Sequence, residues 1–453
     1  MLKEANSLSA SHELTIAGLP VRESQGFLRK ILPWAAKGGL AILDQGLFAG
    51  TNFVVNTLLA RWLTPAEYGA FALAFSIFLL LGVFHAAILT EPMLVFGPGR
   101  YRERFPEYLG ILLRGHFSLM APVVLILIGA AFLLGRVYST SIERALLSLA
   151  LAAPFILLLW LVRQAFYVRL RPDRAAVGGF LYLVFLLGFM SALRAGQHLS
   201  LVTALMGMGI VALVVSVFLL LILGPSWTGN PSVKMVFTDH WRYGRWSVAT
   251  AGITWFPGNV YYVLLPIWVG LEGAGALKAL MNLAMPGLQS VGALSLILLP
   301  VLVQSRKESR TRGMVNTMRS FLALFLFGST LYLMLLWGLR SELFRLLYAG
   351  KYAEYASWPL LLAGVLPLGA CVTGALSNTL RALERPDWIF WCYLGSSMVA
   401  LLVGIPLIVA VGLTGALLGQ LFSALTAGAL MFWFYRRFLR SSERDDSSDR
   451  IGF

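Results

Sequence analysis

Leu201-Val-Thr-Ala-Leu-Met-Gly-Met-Gly-Ile-Val-Ala-Leu-Val-Val-Ser-Val-Phe-Leu-Leu-Leu-Ile-Leu223 contains no charged side chain. A helical span needs about 20 apolar residues to cross a bilayer core, and this stretch supplies them. It shows no period-2 alternation and is too long for a barrel strand of roughly 10 residues. Lipid offers no hydrogen-bond partner to a peptide group, so the segment must close its own backbone bonds as a helix. Eleven further runs of the same kind surround it, near 38–60, 67–90, 109–134, 145–162, 175–193, 246–269, 275–303, 314–338, 356–380, 388–411 and 413–435. Hydrophobic residues make up 58% of the chain and charged residues only 13%, which excludes a soluble protein. The expected fold is all-α and membrane-embedded, with about twelve transmembrane helices.

The net charge of +15 invites a nucleic-acid reading, but the placement of the charges argues against it. With the N-terminus inside, 26 of the 36 Lys and Arg fall on the inner side and eight on the outer side. The inner set includes Arg100, Arg102 and Arg104, then Arg163, Arg169, Arg171 and Arg174, and later Arg381 and Arg385. Such a bias is the positive-inside signature. It orients both termini to the cytoplasm and turns the basic surplus toward anionic lipid. Nucleic acid is not needed as a partner. Residues 1–37 lack the apolar core of a signal peptide, so the first span is expected to serve as an uncleaved anchor in a bacterial inner membrane. Phe27 to Lys37 reads as a short amphipathic helix on the membrane surface. Cys371 and Cys392 both lie inside spans and offer neither a disulfide framework nor a metal set.

Short loops leave no room for an extramembrane domain. The longest inner loop, 224–245, divides the chain into a cytoplasmic segment 1–37, a first bundle 38–223, the linker itself, a second bundle 246–435 and a cytoplasmic tail 436–453. The linker holds Pro225, Pro231 and the start of a basic aromatic run from His240 to Trp246. Trp62 to Leu73 and Trp268 to Ala279 occupy the same place in the two halves. Laid together without gaps they pair Trp62 with Trp268, Gly69 with Gly275 and Ala70 with Ala276. Six spans per half make such a repeat parallel, about an axis along the membrane normal.

Leu58-Leu-Ala-Arg-Trp-Leu-Thr-Pro-Ala-Glu-Tyr-Gly-Ala-Phe-Ala-Leu73 resembles the start of polysaccharide-precursor flippases of the multidrug/oligosaccharidyl-lipid/polysaccharide exporter superfamily. Leu343-Phe-Arg-Leu-Leu-Tyr-Ala-Gly-Lys-Tyr-Ala-Glu-Tyr-Ala356 is similar to the stretch before the family's tenth helix. The eighth span, entered through Gly275 and ended by Pro300, is a third match. Tyr348-Ala349 departs from the aromatic-Gly pair frequent there. The resemblance implies movement of an undecaprenyl-diphosphate-linked glycan from the inner to the outer leaflet. It implies about twelve transmembrane helices in two six-helix bundles around a central cavity walled by helices one, two, seven and eight, with a glycan polymerase and chain-length machinery as partners.

Polar groups inside spans are costly and mark candidate pathways. At 100° per residue, Lys278, Asn282 and Gln289 fall within about 40° of one another on the eighth span. Gln45, Asn52 and Asn56 form a comparable stripe on the first span, with Asp44 and Thr51 on an adjacent face. Thr250, Thr254 and Tyr261 align on the seventh, where Pro257-Gly258 should loosen the helix. A cation with amides and hydroxyls is what an anionic lipid-linked sugar requires. Lys278, Asn282, Gln289, Gln45, Asn52, Asn56, Thr254 and Tyr261 are the candidate substrate-binding set. The plainer account is that amides glue helices together and that Lys278, Arg114 and Arg319 snorkel to the interface. Asp44 reads as a residue near the cytoplasmic boundary, or as one paired with a cation. His85 and His116 are lone histidines, and the Gly46-x-x-x-Gly50 and Gly415-x-x-x-Gly419 spacings suggest close helix packing.

No P-loop, no Gly-x-Ser-x-Gly elbow and no His-Glu-x-x-His pair occurs, so neither an ATP site nor a catalytic constellation is expected, and no cofactor. The rivals to a flippase are a polymerase or ligase of the same glycan pathway and a small-molecule cation antiporter of the same superfamily. The first needs a large outer loop; the longest here, 339–355, is short and has no His. The second calls for carboxylates deep in the spans, which are scarce.

Overall fold

The computed structural model describes residues 21–228 and 232–451. Its elements are α1 (Val21–Trp62), α2 (Pro65–His85), a π-helical turn (Ala86–Thr90), α3 (Glu91–Phe96), α4 (Phe105–Val137), α5 (Thr140–Val168), α6 (Pro172–Ala195) and α7 (Leu201–Leu223). They continue with α8 (Val233–Trp268), α9 (Leu271–Gly338), α10 (Arg340–Tyr348), a 3-10 turn (Ala353–Tyr355), α11 (Trp358–Ala382), α12 (Pro386–Leu402) and α13 (Gly404–Ile451). No strand occurs among the described residues. Nine helical stretches there are long and apolar enough to cross a membrane, and Asp387–Leu402 is a shorter apolar helix. The fold is an all-α membrane architecture.

The twelve apolar runs fall in helices to within a residue or two of their ends, apart from a one-residue break at Val403. α9 carries two runs and α13 the end of one and the whole of the next, because both fold back. In α9, Ser305 Oγ lies 2.9 Å from Thr317 Oγ1 and the Tyr332 hydroxyl donates to the Leu283 carbonyl at 2.5 Å. The two limbs therefore pack antiparallel. In α13, Gly412 takes φ +60°, a left-handed value that glycine adopts freely. The chain reverses there, and the Ser396 and Ser423 hydroxyls meet at 2.8 Å across α12 and α13. The segment read as the inner loop 224–245 is helical from Val233 onward, so the run from His240 to Trp246 belongs to α8; residues 229–231 lie outside the described residues. The side chains of the surface stretch Phe27 to Lys37 also lie outside them.

On the face carrying few Arg, three helices of the first half have their free amides capped by side chains. Thr64 and Glu67 form a reciprocal capping box at α2, Ser200 and Thr203 another at α7, and Ser139 caps α5. On the basic face, α6 and α12 open on the same device, Arg171-Pro172-Asp173 and Arg385-Pro386-Asp387. The residue before each, Leu170 or Glu384, has φ 55° or 61°, and the Arg backbones match at φ −117°, ψ 61° and φ −118°, ψ 61°. Each Arg amide bonds the carbonyl five residues back, and each guanidinium bonds the following Asp. Proline fits the first helical position, where its missing N–H is not needed, and Asp suits the positive helix start. The same turn stands at the same place in each half.

In the first half α1 packs on α6, and α5 on α4 and α7. In the second, α11 packs on α9 and α13, and α12 on α13 and α8. The halves meet chiefly through α2 against α8 and α9, and α1 against α9. At this seam a Cβ on Gly69 would stand 1.7 Å from the Leu271 carbonyl oxygen, and one on Gly275 2.6 Å from the Pro65 carbonyl oxygen. Positions 65 and 69 pair with 271 and 275 in the ungapped repeat, so the contact is reciprocal. Two chain segments related by a two-fold axis touch in this way.

Candidate functional site

A cavity of about 500 Å3 opens between the halves. Walls come from α1, α2, α5, α6, α7, α8 and α9, with Phe75, Trp160 and Tyr262 among the aromatic residues. Of the eight candidate residues, six line it: Gln45, Asn52 and Asn56 from α1, and Lys278, Asn282 and Gln289 from α9. Thr254 and Tyr261 do not. Thr254 is exposed and its hydroxyl donates to Thr250 and Ala251 carbonyls of its own helix. Tyr261 is fully buried behind the wall, where its hydroxyl donates to the Ala400 carbonyl at 3.2 Å. Pro257 nearby leaves the Ile253 carbonyl without its helical donor; the Ser397 hydroxyl takes it at 3.0 Å.

The cavity is narrow at one end. Asn56 and Asn282 are buried, whereas Gln45 and Gln289, two to three turns nearer the basic face, are exposed. Beyond the buried end the seam is shut. Asn282 donates to the Thr57 hydroxyl at 2.8 Å, the Tyr348 hydroxyl to the Ala279 carbonyl at 2.9 Å, and Lys351 to the Arg61 and Leu63 carbonyls at 2.9 and 2.7 Å. Arg61 returns a bond to the Leu346 carbonyl at 2.5 Å. Arg61 of α1 thus caps the end of α10, and Lys351, just beyond α10, caps the end of α1, where a helix leaves its last carbonyls without partners.

Lys278 is half-buried in the wall and does not reach for the interface. Its ammonium sits 4.1 Å from the Phe75 ring centre and 5.6 Å from that of Tyr262. Aromatic faces attract a cation and compensate part of its lost hydration. No ion pair among the described residues involves it. Asn56 spends its amide on Asn52, while its own Oδ1 is buried without a hydrogen-bond partner among the described residues. Buried acceptors are rarely left so. Asn282 by contrast bridges α9 to α1, a gluing role that the plainer account allowed. Among the described residues the wall contains no Asp or Glu. It combines one cation, several amides and aromatic surface.

Two polar constellations beside the cavity were not assembled from the sequence. Asp44 is paired with a cation: it is 0% exposed, with Arg163 NH2 2.6 Å from Oδ1 and the Tyr167 hydroxyl 2.7 Å from Oδ2, both from the last two turns of α5. Arg163, read as a residue of an inner segment, lies buried within α5, its guanidinium carbon 4.7 Å from the Phe48 ring centre. A buried charge needs a partner, and that requirement is the signal that Asp44 carried. His85 and His116 are not lone either, since their rings bond at 2.9 Å, Nε2 to Nδ1.

The π-turn beside His85 precedes Pro92, which cannot supply a donor to the Ile88 carbonyl. His240 from α8 does so through Nδ1 at 2.9 Å, so its Nε2 accepts from the Tyr108 hydroxyl at 2.6 Å. Burial holds the His240 imidazole below its usual range, favouring this neutral form. Asp239, next in α8, takes bonds from Arg100 at 2.6 Å and the Tyr101 hydroxyl at 3.2 Å.

The Gly46-x-x-x-Gly50 spacing makes no close packing: a Cβ at either would meet nothing within 4 Å. Gly415 and Gly419 do pack closely, against the Leu407 carbonyl and the Tyr261 hydroxyl. Both cysteines are buried free thiols.

No protein-family model matches the sequence, and no curated protein is significantly similar to it. Solved structures are similar in fold. An inward-facing multidrug-resistance MATE family transporter of the MOP superfamily superposes with a TM-score of 0.74 at 14% identity, over 89% of this chain and 99% of that one. The lipid II flippase MurJ in an inward closed conformation gives 0.69 at 13%, over 88% and 87%. An outward-facing MATE family transporter gives 0.60 at 12%, over 90% and 96%. The chain has the fold of MOP-superfamily transporters.

Proposed function

We propose that this protein is a flippase or exporter that moves lipid-linked oligosaccharide or polysaccharide precursors across a bacterial inner membrane by alternating access. The observation that carries the reading is the wall chemistry: Lys278, free of any carboxylate partner among the described residues, faces a cavity with amides and aromatic rings and no acidic residue. One cation suits a diphosphate. The amides of Gln45, Asn52 and Gln289 and the open acceptor of Asn56 suit sugar hydroxyls. A transporter of organic cations would present a carboxylate here, whereas Asp44 stands outside the lining and is engaged by Arg163 and Tyr167. The closed seam around Lys351 and the exposed Gln45 and Gln289 describe a state that faces the basic side, which the positive-inside pattern assigns to the cytoplasm with both termini. A glycan polymerase and its chain-length machinery would take the product on the other side.

The test is surface glycan in a deletion strain complemented with variants, normalised to membrane protein. Lys278→Ala should abolish transport and Lys278→Arg retain part of it, because the guanidinium keeps the charge but not the geometry. Asn282→Ala and Gln289→Ala should weaken it less, each removing one hydrogen-bonding group of about 0.5–1.5 kcal/mol. Unchanged glycan in Lys278→Ala would overturn the reading, as would wild-type glycan in the deletion strain itself.

A further inference from the structure

A second cavity, of about 450 Å3, lies away from the cleft, between the start of α12 and the far part of α13, and is lined by Arg385, Trp388, Arg437 and Phe438. Arg385 is held flat: its guanidinium carbon is 4.0 Å from the Trp388 ring centre, and Asp387 fixes it through bonds of 3.1 and 3.0 Å. Trp388 stacks on Phe434 at 5.0 Å with the rings 16° apart. Arg437 forms no ion pair among the described residues but lies over the Trp433 ring, 5.7 Å from its centre, and Arg436 stands beside it. About one turn further into the membrane, Trp391 and Trp433 are 58% and 54% exposed.

These features change with depth in the manner of a phospholipid. At the membrane edge Arg437 presents a planar donor pair that matches phosphate oxygens, and Arg385 adds the N–H groups that Asp387 leaves free. Stacked aromatic rings form the floor beneath them, and exposed tryptophans follow where headgroups give way to acyl chains. We propose that this groove is a binding site for the phosphate of an anionic phospholipid, whose acyl chains lie along Trp391 and Trp433. Arg385 is pre-positioned by the Arg-Pro-Asp turn, and Arg437, 5.7 Å from the Trp433 ring centre, supplies the second arm. The site is independent of the transported substrate, and its loss leaves the wall around Lys278 untouched.

Native mass spectrometry of the full chain, released from mixed phosphatidylglycerol and phosphatidylcholine nanodiscs, reads the bound lipid directly. The wild type should retain phosphatidylglycerol over phosphatidylcholine. R385A/R437A should bind it about tenfold more weakly, in line with the attraction lost when two basic groups leave an anionic surface. R385K/R437K should keep part of the affinity, and R340A/R345A, on the opposite face, all of it. Inorganic phosphate should displace the lipid poorly, because it lacks the chains that Trp391 and Trp433 hold. Equal retention by R385A/R437A, or equal retention of both lipids by the wild type, overturns the proposal. Full displacement by inorganic phosphate overturns the lipid assignment and leaves a free-phosphate site.

Discussion

Asp44 binds α1 to α5 with both oxygens engaged, and the pair is buried on every side. Removing one partner strands the other charge away from water. Arg163→Ala should therefore cost about 3–5 kcal/mol, whereas replacing both residues, as in Asp44→Leu with Arg163→Met, should restore much of the loss. Thermal unfolding in detergent distinguishes the cases; an unaltered midpoint for Arg163→Ala would show that the carboxylate finds water. His240 makes a pH-dependent contribution. Burial lowers its folded pKa from the ordinary 6.5, so the unfolded chain takes up the proton first as pH falls. Stability held by the neutral ring is present above about pH 6.5 and declines as the pH drops below it. The melting midpoint should fall between about pH 7.5 and about pH 5, and His240→Asn should flatten that slope. A slope unchanged in the variant would place the titration elsewhere.

At the scale of helices, the meaning of a small residue depends on what its face meets. Gly69 and Gly46 lie on successive helices, and both spacing and composition allow close packing for either. Only Gly69 meets a backbone: a Cβ there would collide with the Leu271 carbonyl, while one on Gly46 meets open space. Gly69→Ala should force α2 from α9 and destabilise by about 1–3 kcal/mol or more, as overpacking does. Gly46→Ala should be neutral or gain up to about 1 kcal/mol from helix propensity. Unfolding midpoints of the two variants check this, and equal midpoints would deny the close approach. The Arg-Pro-Asp turns at 171 and 385 carry the same lesson in reverse. Both were visible in the sequence at equivalent places in the two halves, yet a three-residue match has little weight until both turns show the same backbone angles.

For the molecule as a whole, the spans were readable because lipid imposes a simple rule on composition, and a run such as Leu201 to Leu223 satisfies it locally. The cavity was half readable. Helical periodicity places Gln45, Asn52 and Asn56 on one face and Lys278, Asn282 and Gln289 on another, and these two faces do meet. It could not show that the Thr254 and Tyr261 stripe turns away from the cavity, nor that Asp44 finds Arg163, because both depend on how helices distant in sequence approach. Orientation follows from charge rather than packing. The protein's two faces differ in Arg content because basic loops resist translocation, and α6 and α12 open on Arg-Pro-Asp at the basic face. Reporter fusions after Arg104, Arg174, Arg312 and Arg440 should therefore read cytoplasmic, and those near Gln197 and Lys351 periplasmic. The last is the most exacting, because the Lys351 ammonium caps α1 and so ties its own loop to the face where α1 ends. A cytoplasmic signal at Lys351 with a cytoplasmic signal at Arg104 would place both loops on one side, and would break the twelve-span arrangement and the closed seam together.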